Sequence, residues 1–190
     1  MACVLVPLAE GCEELEAVTV IDLLRRAGIE VTVAALADGP VTASRGVVLE
    51  ADTTLASVLA DDFDMIVLPG GGEGAKRLTA DERVRDLLAR HAESGGWTAA
   101  ICAAPSVLAG AGLLAGRQVT SFPGWLDEVA DITYLEEPVV TDDRVVTSRG
   151  PGTAMDFALA LIEHLEGTAT AAGVEAKLQR PAAHQRYADT

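Results

Sequence analysis

The segment 97–106, WTAAICAAPS, joins a short apolar run to the start of a helix. Residues 97–102 are apolar or small and are typical of a buried strand. Two alanines then lead to Pro105, and proline is favoured in the first turn of a helix. The segment therefore predicts a strand that ends at Cys102 and passes directly into a helix over 104–116.

The same order of strand and helix recurs along the chain. Strands are expected at 2–7, 29–36, the apolar start of 63–74, 97–102, 118–122 and 143–148. Helices are expected within 8–29, 81–96, 104–116, 152–167 and 168–180. Strands that alternate with helices of this length predict βαβ units, a mostly parallel sheet and crossover helices on both faces. The expected class is a doubly wound α/β fold.

The length and composition predict one domain over residues 1–180 and an irregular tail over 181–190. Acidic residues outnumber basic ones by 29 to 14, which gives a formal net charge of −15. This charge argues against nucleic acid or an anionic membrane as a partner, because both attract basic surfaces. The chain contains no apolar run of membrane-spanning length, and its start lacks the basic residues of a signal peptide. With only three cysteines, a cytoplasmic location is expected.

Cys102 is the candidate nucleophile. Its expected place, between a strand end and a helix start, allows a tight turn to lift the side chain above the sheet. The amides and dipole at a helix start favour an anion, so this position is expected to lower the pKa of the thiol. The alternative is a buried cysteine that serves only for packing, which is common. Cys3 and Cys12 lack this context, and Cys3 is expected to be an inert core residue.

Five segments together resemble the ThiJ/PfpI superfamily, and within it the subgroup of the parkinsonism-associated deglycase and its bacterial YajL-type relatives. The segments are EELEAV (13–18), LLRRAGI (23–29), VLPGG (67–71), AAICAAP (99–105) and TSRGPGTAMDFALAL (147–161). They occur in the family's order and spacing, and the resemblance extends over about residues 2–178. It implies a flavodoxin-like, class I glutamine-amidotransferase-like fold, a homodimer and no cofactor or metal.

The resemblance also assigns roles to site residues. Cys102 corresponds to the family's nucleophilic, oxidisable cysteine, and Glu16 to a protonated glutamate bonded to that sulfur. The backbone N–H groups of Gly71 and Ala103 correspond to an oxyanion site. Burial of Glu16 would raise its pKa and keep the carboxyl neutral. The alternative for Glu16 is a solvated first turn of a helix, which suits its neighbours Glu13 and Glu14 better.

Arg26 and Arg45 match family arginines near the dimer interface and the mouth of the site, although most arginines are only solvated surface residues. Phe122 stands where some relatives have histidine, as in YajL-type members, and Ala103 stands where the protease-like branch has histidine. His91, His164 and His184 are expected to be solvated or packing residues. A Cys-His dyad and peptidase activity are therefore not expected.

Two functions follow from the resemblance. In the first, Cys102 attacks a reactive dicarbonyl such as methylglyoxal, or its early adduct with an amine or thiol, and Glu16 moves the proton. This is a glutathione-independent glyoxalase or deglycase. In the second, the chain is a redox-sensing stress protein or chaperone, in which Cys102 is oxidised and no substrate is turned over.

Overall fold

A computed structural model describes residues 1–180 of the chain. Its strands, in chain order, are β1 Cys3–Leu8, β2 Glu30–Ala35, β3 Val41–Thr42, β4 Val48–Leu49, β5 Thr53–Thr54, β6 Met65–Leu68, β7 Trp97–Ile101, β8 Arg117–Val119, β9 Ile132–Tyr134, β10 Val139–Asp142 and β11 Val145–Ser148. Its helices are α1 Glu14–Arg26, α2 Leu55–Val58, α3 Gly72–Ala80, α4 Glu82–Glu93, α5 Pro105–Gly110, α6 Ala154–Glu166 and α7 Thr168–Lys177, with a 3₁₀ turn at Pro151–Thr153. The tail expected over 181–190 lies outside the described residues.

Seven of the strands form the main sheet, in the order β10-β11-β7-β6-β1-β2-β5. The neighbours from β11 to β5 are parallel, and only the edge pair β10–β11 is antiparallel. The mostly parallel, doubly wound α/β fold is therefore confirmed. Two short pairs, β3–β4 and β8–β9, lie outside this sheet.

Both faces of the sheet are buried because the side chains of each strand alternate between two apolar clusters. Val4 and Val6 of β1 belong to the cluster that contains residues of α1, α6 and α7. Leu5 belongs to the cluster that contains residues of α2, α3, α4 and α5. This double burial explains why the strands are continuous apolar runs.

The chain reverses its direction of travel across the sheet at β1, which lies between β2 and β6. Sites in open α/β sheets lie beyond the carboxyl ends of the strands at such a point. The segments that follow β1, β6 and β7 all reach this edge, and they carry Glu16, Gly71 and Cys102.

Several sequence-based boundaries are wrong in detail. The helix expected over 104–116 ends at Gly110, and the strand expected over 118–122 covers Arg117–Val119 and pairs with β9 outside the main sheet. No helix is among those expected at the glycines after β6, yet Gly72 begins helix α3. The expected helix over 168–180 is present as Thr168–Lys177.

Candidate active site

Cys102 lies directly after β7 in a left-handed backbone conformation, with φ of 65°. Its N–H donates to the Ser148 carbonyl and its carbonyl accepts from the Phe122 N–H, both at 2.9 Å. A left-handed residue with a Cβ costs about 1–2 kcal/mol, so these bonds hold the turn against its intrinsic preference. This is the geometry of a nucleophile elbow, and it agrees with the predicted strand-to-helix turn.

Two glycines after β6 allow the site to close around the thiol. The Gly70 N–H donates to Glu16 Oε2 at 2.8 Å. A Cβ on Gly70 would lie 2.6 Å from both the Cys102 Cβ and Glu16 Oε2, which excludes any larger residue. Gly71 has φ of +89°, and a Cβ there would lie 2.3 Å from the Gly11 carbonyl oxygen. In the PGGG segment (69–72), the glycines are therefore needed because other parts of the chain approach its backbone closely, and not only because they allow a turn.

Glu16 is in the first turn of α1, and its side chain is completely buried. Oε2 accepts the Gly70 hydrogen bond and Oε1 has no conventional hydrogen-bond partner. The carboxyl is also within hydrogen-bonding reach of the Cys102 thiol. A buried carboxyl with one unpaired oxygen favours the protonated acid, because burial penalises the charged carboxylate.

Burial raises the pKa of Glu16 to about 7, and hydrogen bonds from Gly70 and Cys102 offset part of this increase. The prediction that Glu16 is buried and has a raised pKa is confirmed, and the alternative of a solvated side chain is wrong for this residue. A carboxyl with this pKa exchanges its proton readily near neutral pH.

Burial also raises the pKa of the Cys102 thiol to about 12, and the charge of ionised Glu16 is the next largest cause. The predicted lowering of this pKa is therefore wrong, because burial of the thiol is the largest cause of the increase. Hydrogen bonds from the N–H groups of Gly71 and Ala103 act in the opposite direction. When Glu16 carries the proton its charge no longer opposes the thiolate, and the two amides remain. The pair consequently exchanges a proton as a unit.

The other two thiols have different surroundings. Cys12 is buried, and desolvation raises its pKa to about 11. Cys3, at the start of β1, is partly exposed, and desolvation and Glu30 raise its pKa. Cys102 alone among these three receives the two amide hydrogen bonds and has a buried acid beside it.

The N–H groups of Gly71 and Ala103 both act to lower the pKa of the Cys102 thiol. Two N–H donors that converge on one point can hold a developing oxyanion. Ala103 is buried, so these donors are shielded from bulk water.

The two arginines are not brought to the thiol within one chain. Arg26 is ten residues from Glu16 on α1, about 15 Å along the helix axis, and pairs with Asp22 at 2.7 Å. Arg45 is nearer the Glu16 end of α1, where its backbone N–H donates to Glu14 Oε1 at 2.9 Å. The interface roles of both residues stay predictions.

The described histidines lie at the far end of β7. His91 Nε2 is 2.9 Å from the Trp97 carbonyl oxygen, and the His164 ring stacks on Trp97 with 4.4 Å between centroids. Trp97 is the first residue of β7 and Cys102 follows the last, so neither ring reaches the thiol. His184 lies outside the described residues.

Sequence reasoning missed one neighbour of the thiol, Gly150, and two aromatic side chains that pack against segments next to the site. A Cβ on Gly150 would lie 4.0 Å from Cys102 Sγ and 3.3 Å from Phe122 Cδ2. Trp125 lies over Gly72, and Tyr134 donates to the Ser121 carbonyl at 3.0 Å, which anchors the segment before Phe122. The quoted motif around residues 147–161 contains Gly150, but only the fold brings it to Cys102.

Within residues 1–180, no group of three or more His, Cys, Asp and Glu side chains is arranged to hold a metal ion. None of the helices in this range combines the length and apolar character needed to cross a membrane.

These features define an α/β protein with a cysteine at a strand-to-helix elbow and a buried acid beside it. The model of the DJ-1/PfpI family matches residues 2–164. The chain belongs to this family, as the sequence motifs indicated.

Two relatives illustrate the similarity. Drosophila melanogaster "Protein dj-1beta" is 48% identical over 166 residues, which cover 86% of this chain and 89% of the relative. Caenorhabditis elegans "Glutathione-independent glyoxalase DJR-1.2" is 39% identical over 168 residues, which cover 87% of this chain and 89% of the relative. The family thus includes proteins named as glyoxalases.

Solved structures of DJ-1 proteins have the same fold as this chain. The crystal structure of Drosophila melanogaster DJ-1beta matches with a TM-score of 0.92 and 43% identity, over 95% of this chain and 99% of that chain. Oxidised Toxoplasma gondii DJ-1 matches with a TM-score of 0.92 and 40% identity, over 96% and 100%. The fold is therefore that of the DJ-1 proteins.

Proposed function

We propose that the chain is a cysteine-dependent enzyme that converts a 2-oxoaldehyde such as methylglyoxal into the corresponding 2-hydroxy acid without glutathione. The observation that carries the proposal is the arrangement of Cys102, between buried Glu16 and the N–H groups of Gly71 and Ala103. The name of the Caenorhabditis elegans relative supports the same chemistry.

In the first step, the Cys102–Glu16 pair shares one proton, which is on Glu16 as the sulfur attacks the aldehyde carbon. A carbon–sulfur bond forms, and the electrons of the carbonyl π bond move to oxygen. The two N–H groups hold this oxygen until it takes the proton from Glu16 as a hemithioacetal. A Glu16 pKa of about 7 suits a group that must both accept and return a proton.

In the second step, the hydrogen on the former aldehyde carbon leaves as a proton to Glu16 and returns to the adjacent carbon through an enediol. The hydroxyl proton of the hemithioacetal passes to the neighbouring ketone oxygen in the same rearrangement. This internal redox change converts the hemithioacetal into a thioester of the 2-hydroxy acid. Water then hydrolyses the thioester, which releases the acid and restores the thiol. In the net reaction, the 2-oxoaldehyde and one water give the 2-hydroxy acid, and no external oxidant or reductant is needed.

In the deglycase version, the Cys102 sulfur displaces the amine from the former aldehyde carbon of an early adduct. The carbon–sulfur bond forms as the carbon–nitrogen bond breaks, and the proton on Glu16 passes to the leaving amine, which gives the same hemithioacetal. The two versions share every residue of the site. They are distinguished only by whether free aldehyde or an adduct is consumed.

Lactate formation by four proteins tests the proposal: wild type, Cys102→Ala, Glu16→Ala and the control Cys3→Ala. Each is assayed with free methylglyoxal and with methylglyoxal-treated amines. We expect multiple turnovers by wild type and the control, and a loss of at least about a thousandfold in Cys102→Ala. Absence of catalytic lactate formation by wild type with both substrates would refute the proposal.

The second candidate is a redox-responsive stress protein or chaperone. The amides of Gly71 and Ala103, with protonated Glu16, offer three donors to an oxidised sulfur, and Toxoplasma gondii DJ-1 has been solved in an oxidised form. Mass spectrometry after peroxide treatment would locate the oxidised cysteine. Suppression of client aggregation that survives Cys102→Ser, without lactate formation by wild type, would favour this role.

We also propose that two copies of the chain associate through an exposed apolar face. The face consists of Leu15 and Val18 on α1 with Val47 and Val48 at the β3–β4 hairpin, each about half exposed or more. The Glu14 carboxylate accepts from the backbone N–H of Arg45 and Val47, so the helix and the hairpin form one continuous surface. Light scattering should give a dimer mass for wild type and a monomer mass for Val18→Glu. A monomeric wild type at micromolar concentration would contradict the proposal.

We also propose that the protein acts in the reducing cytoplasm, where its three free thiols would stay reduced.

A further inference from the structure

The Cys102 thiol shares its surroundings with an aromatic side chain that makes little contact with the core. Phe122 is 46% exposed, which is unusual for a large apolar residue held at a fixed point of the backbone. Its N–H donates to the Cys102 carbonyl at 2.9 Å, so the two residues are tied together. The ring edge and the sulfur both lie within 4.0 Å of the point that a Gly150 Cβ would occupy. A Cβ at Gly150 would be crowded by the ring, at 3.3 Å from Phe122 Cδ2, so the glycine lets the ring lie close to the thiol.

A second ring lies on the same segment. The Trp125 N–H donates to the Phe122 carbonyl at 3.3 Å, which closes a turn over 122–125. The indole atoms Cζ2 and Cη2 lie 3.4 and 3.8 Å from the Cβ position of Gly72. Gly72 directly follows Gly71, whose N–H acts to lower the pKa of the Cys102 thiol. One turn therefore presents Phe122 beside the thiol and Trp125 beside the strand-to-helix junction that carries an oxyanion donor.

The surface that Phe122 and Trp125 present is apolar, and both side chains are planar rings. Phe122 offers no hydrogen bond to a polar substrate, whereas its ring face and edge attract other aromatic rings and apolar groups. The exposed part of the Phe122 ring is the surface that a substrate substituent could cover. A methyl group would leave most of the ring surface in water, but an aryl group would cover it.

We propose that Phe122 and Trp125 form a substrate-selecting wall, and that the site prefers 2-oxoaldehydes that carry an aromatic or large apolar substituent over methylglyoxal. This inference rests on the proposed function, because it names the substrate class of the same thiol. The reaction is unchanged, and its product from phenylglyoxal is mandelate.

The test is the ratio of kcat/KM for phenylglyoxal to kcat/KM for methylglyoxal. It is measured from initial rates over short times, because phenylglyoxal also modifies arginine. Wild type is compared with Phe122→Ala, Phe122→Leu and Trp125→Ala. Phe63→Leu is the matched control, since Phe63 lies just before β6 at the amino end of the sheet. Phe122→Leu keeps apolar bulk and removes only the ring, so a folding defect in the alanine variant does not decide the outcome.

We expect a ratio above one in wild type and in the control. In Phe122→Ala the ratio should fall about tenfold, the factor that corresponds to about 1.4 kcal/mol. Smaller falls are expected in Phe122→Leu and Trp125→Ala. A ratio below one in wild type, or a ratio that Phe122→Ala and Phe122→Leu leave unchanged, overturns the inference while the proposed function stands. Failure of wild type to form either acid removes the proposed function and this inference together.

Discussion

Two buried ionisable side chains lie at opposite ends of the sheet, and they differ in how well their polar atoms are satisfied. Glu16, at the carboxyl ends of the strands, is completely buried and has one oxygen without a conventional partner. His91, at the amino end, is 7% exposed, and its Nε2 is bonded to the Trp97 carbonyl. The comparison shows that burial alone does not mark a reactive site. An unsatisfied buried group beside a thiol does so more specifically.

Each end of the sheet also depends on a glycine against which the side chain packs. A Cβ on Gly70 would collide with both Glu16 and Cys102, whereas a Cβ on Gly96 would lie 2.2 Å from the His91 ring. The packing constraint is similar, yet only one end is expected to do chemistry. Matched substitutions at the two ends can therefore separate structural from catalytic effects.

The largest expected difference is in activity. Glu16→Gln keeps the size of the side chain and a neutral donor but removes the exchangeable proton. Turnover of methylglyoxal should fall by about a thousandfold, within the range for loss of a general acid–base. His91→Gln, at the other end, should retain wild-type kcat/KM. Comparable turnover by Glu16→Gln and wild type would mean that water or another group moves the proton.

The next difference concerns the two glycines. Gly70→Ala must displace Cys102 or Glu16, and a misplacement of about 1 Å reduces the rate on the order of a hundredfold. Gly96→Ala must displace the His91 ring, so it should lower the melting temperature while kcat/KM changes little. Equal losses of activity in both variants, with both proteins folded by circular dichroism, would contradict the separation of the two ends.

The smallest expected effect is in the pH dependence of stability, and it has opposite signs at the two ends. The pKa of Glu16 is raised from 4.5 to about 7, so the folded state binds its proton more tightly than the unfolded state. Its contribution is present below pH 4.5 and is lost as pH rises through 7, a change of about 3 kcal/mol. Glu16→Gln should therefore gain stability relative to wild type as pH rises from 5 to 8.

Burial lowers the pKa of His91 from 6.5, so its contribution is present above pH 6.5 and is lost as pH falls through the folded-state pKa. His91→Gln should gain relative to wild type as pH falls. Thermal melts of both variants and wild type across this range check both signs. Parallel pH profiles for the two variants would show that one of the two assignments is wrong.

The sequence predicted the parts of the fold that have a long or repeated signal. Strands β1, β2, β6 and β7 are apolar runs flanked by helices, and their carboxyl ends bring Glu16, Gly71, Cys102 and Ala103 together as expected. Strands of two residues, such as β3 and β4, give no periodic pattern. Helix α3 was missed because its glycine-rich start also fits a turn.

The predicted direction of the pKa shift of the Cys102 thiol was wrong for a physical reason. The sequence shows that Cys102 precedes a helix, which favours a thiolate, but it does not show the degree of burial or the charge of Glu16. Those two contributions outweigh the amide hydrogen bonds when Glu16 is ionised. The contacts of Gly150 and Trp125 were missed for a similar reason, since they depend on packing between segments distant in sequence.

The left-handed backbone at Cys102 lowers stability, whereas the proposed activity requires the cysteine side chain at this position. A φ of 65° is uncommon for any residue with a Cβ, and glycine adopts it without the steric penalty. Mutation under selection for thermal stability alone would thus favour glycine at 102, and the same step would delete the sulfur. A cysteine in this conformation is therefore a record of selection for what its side chain does.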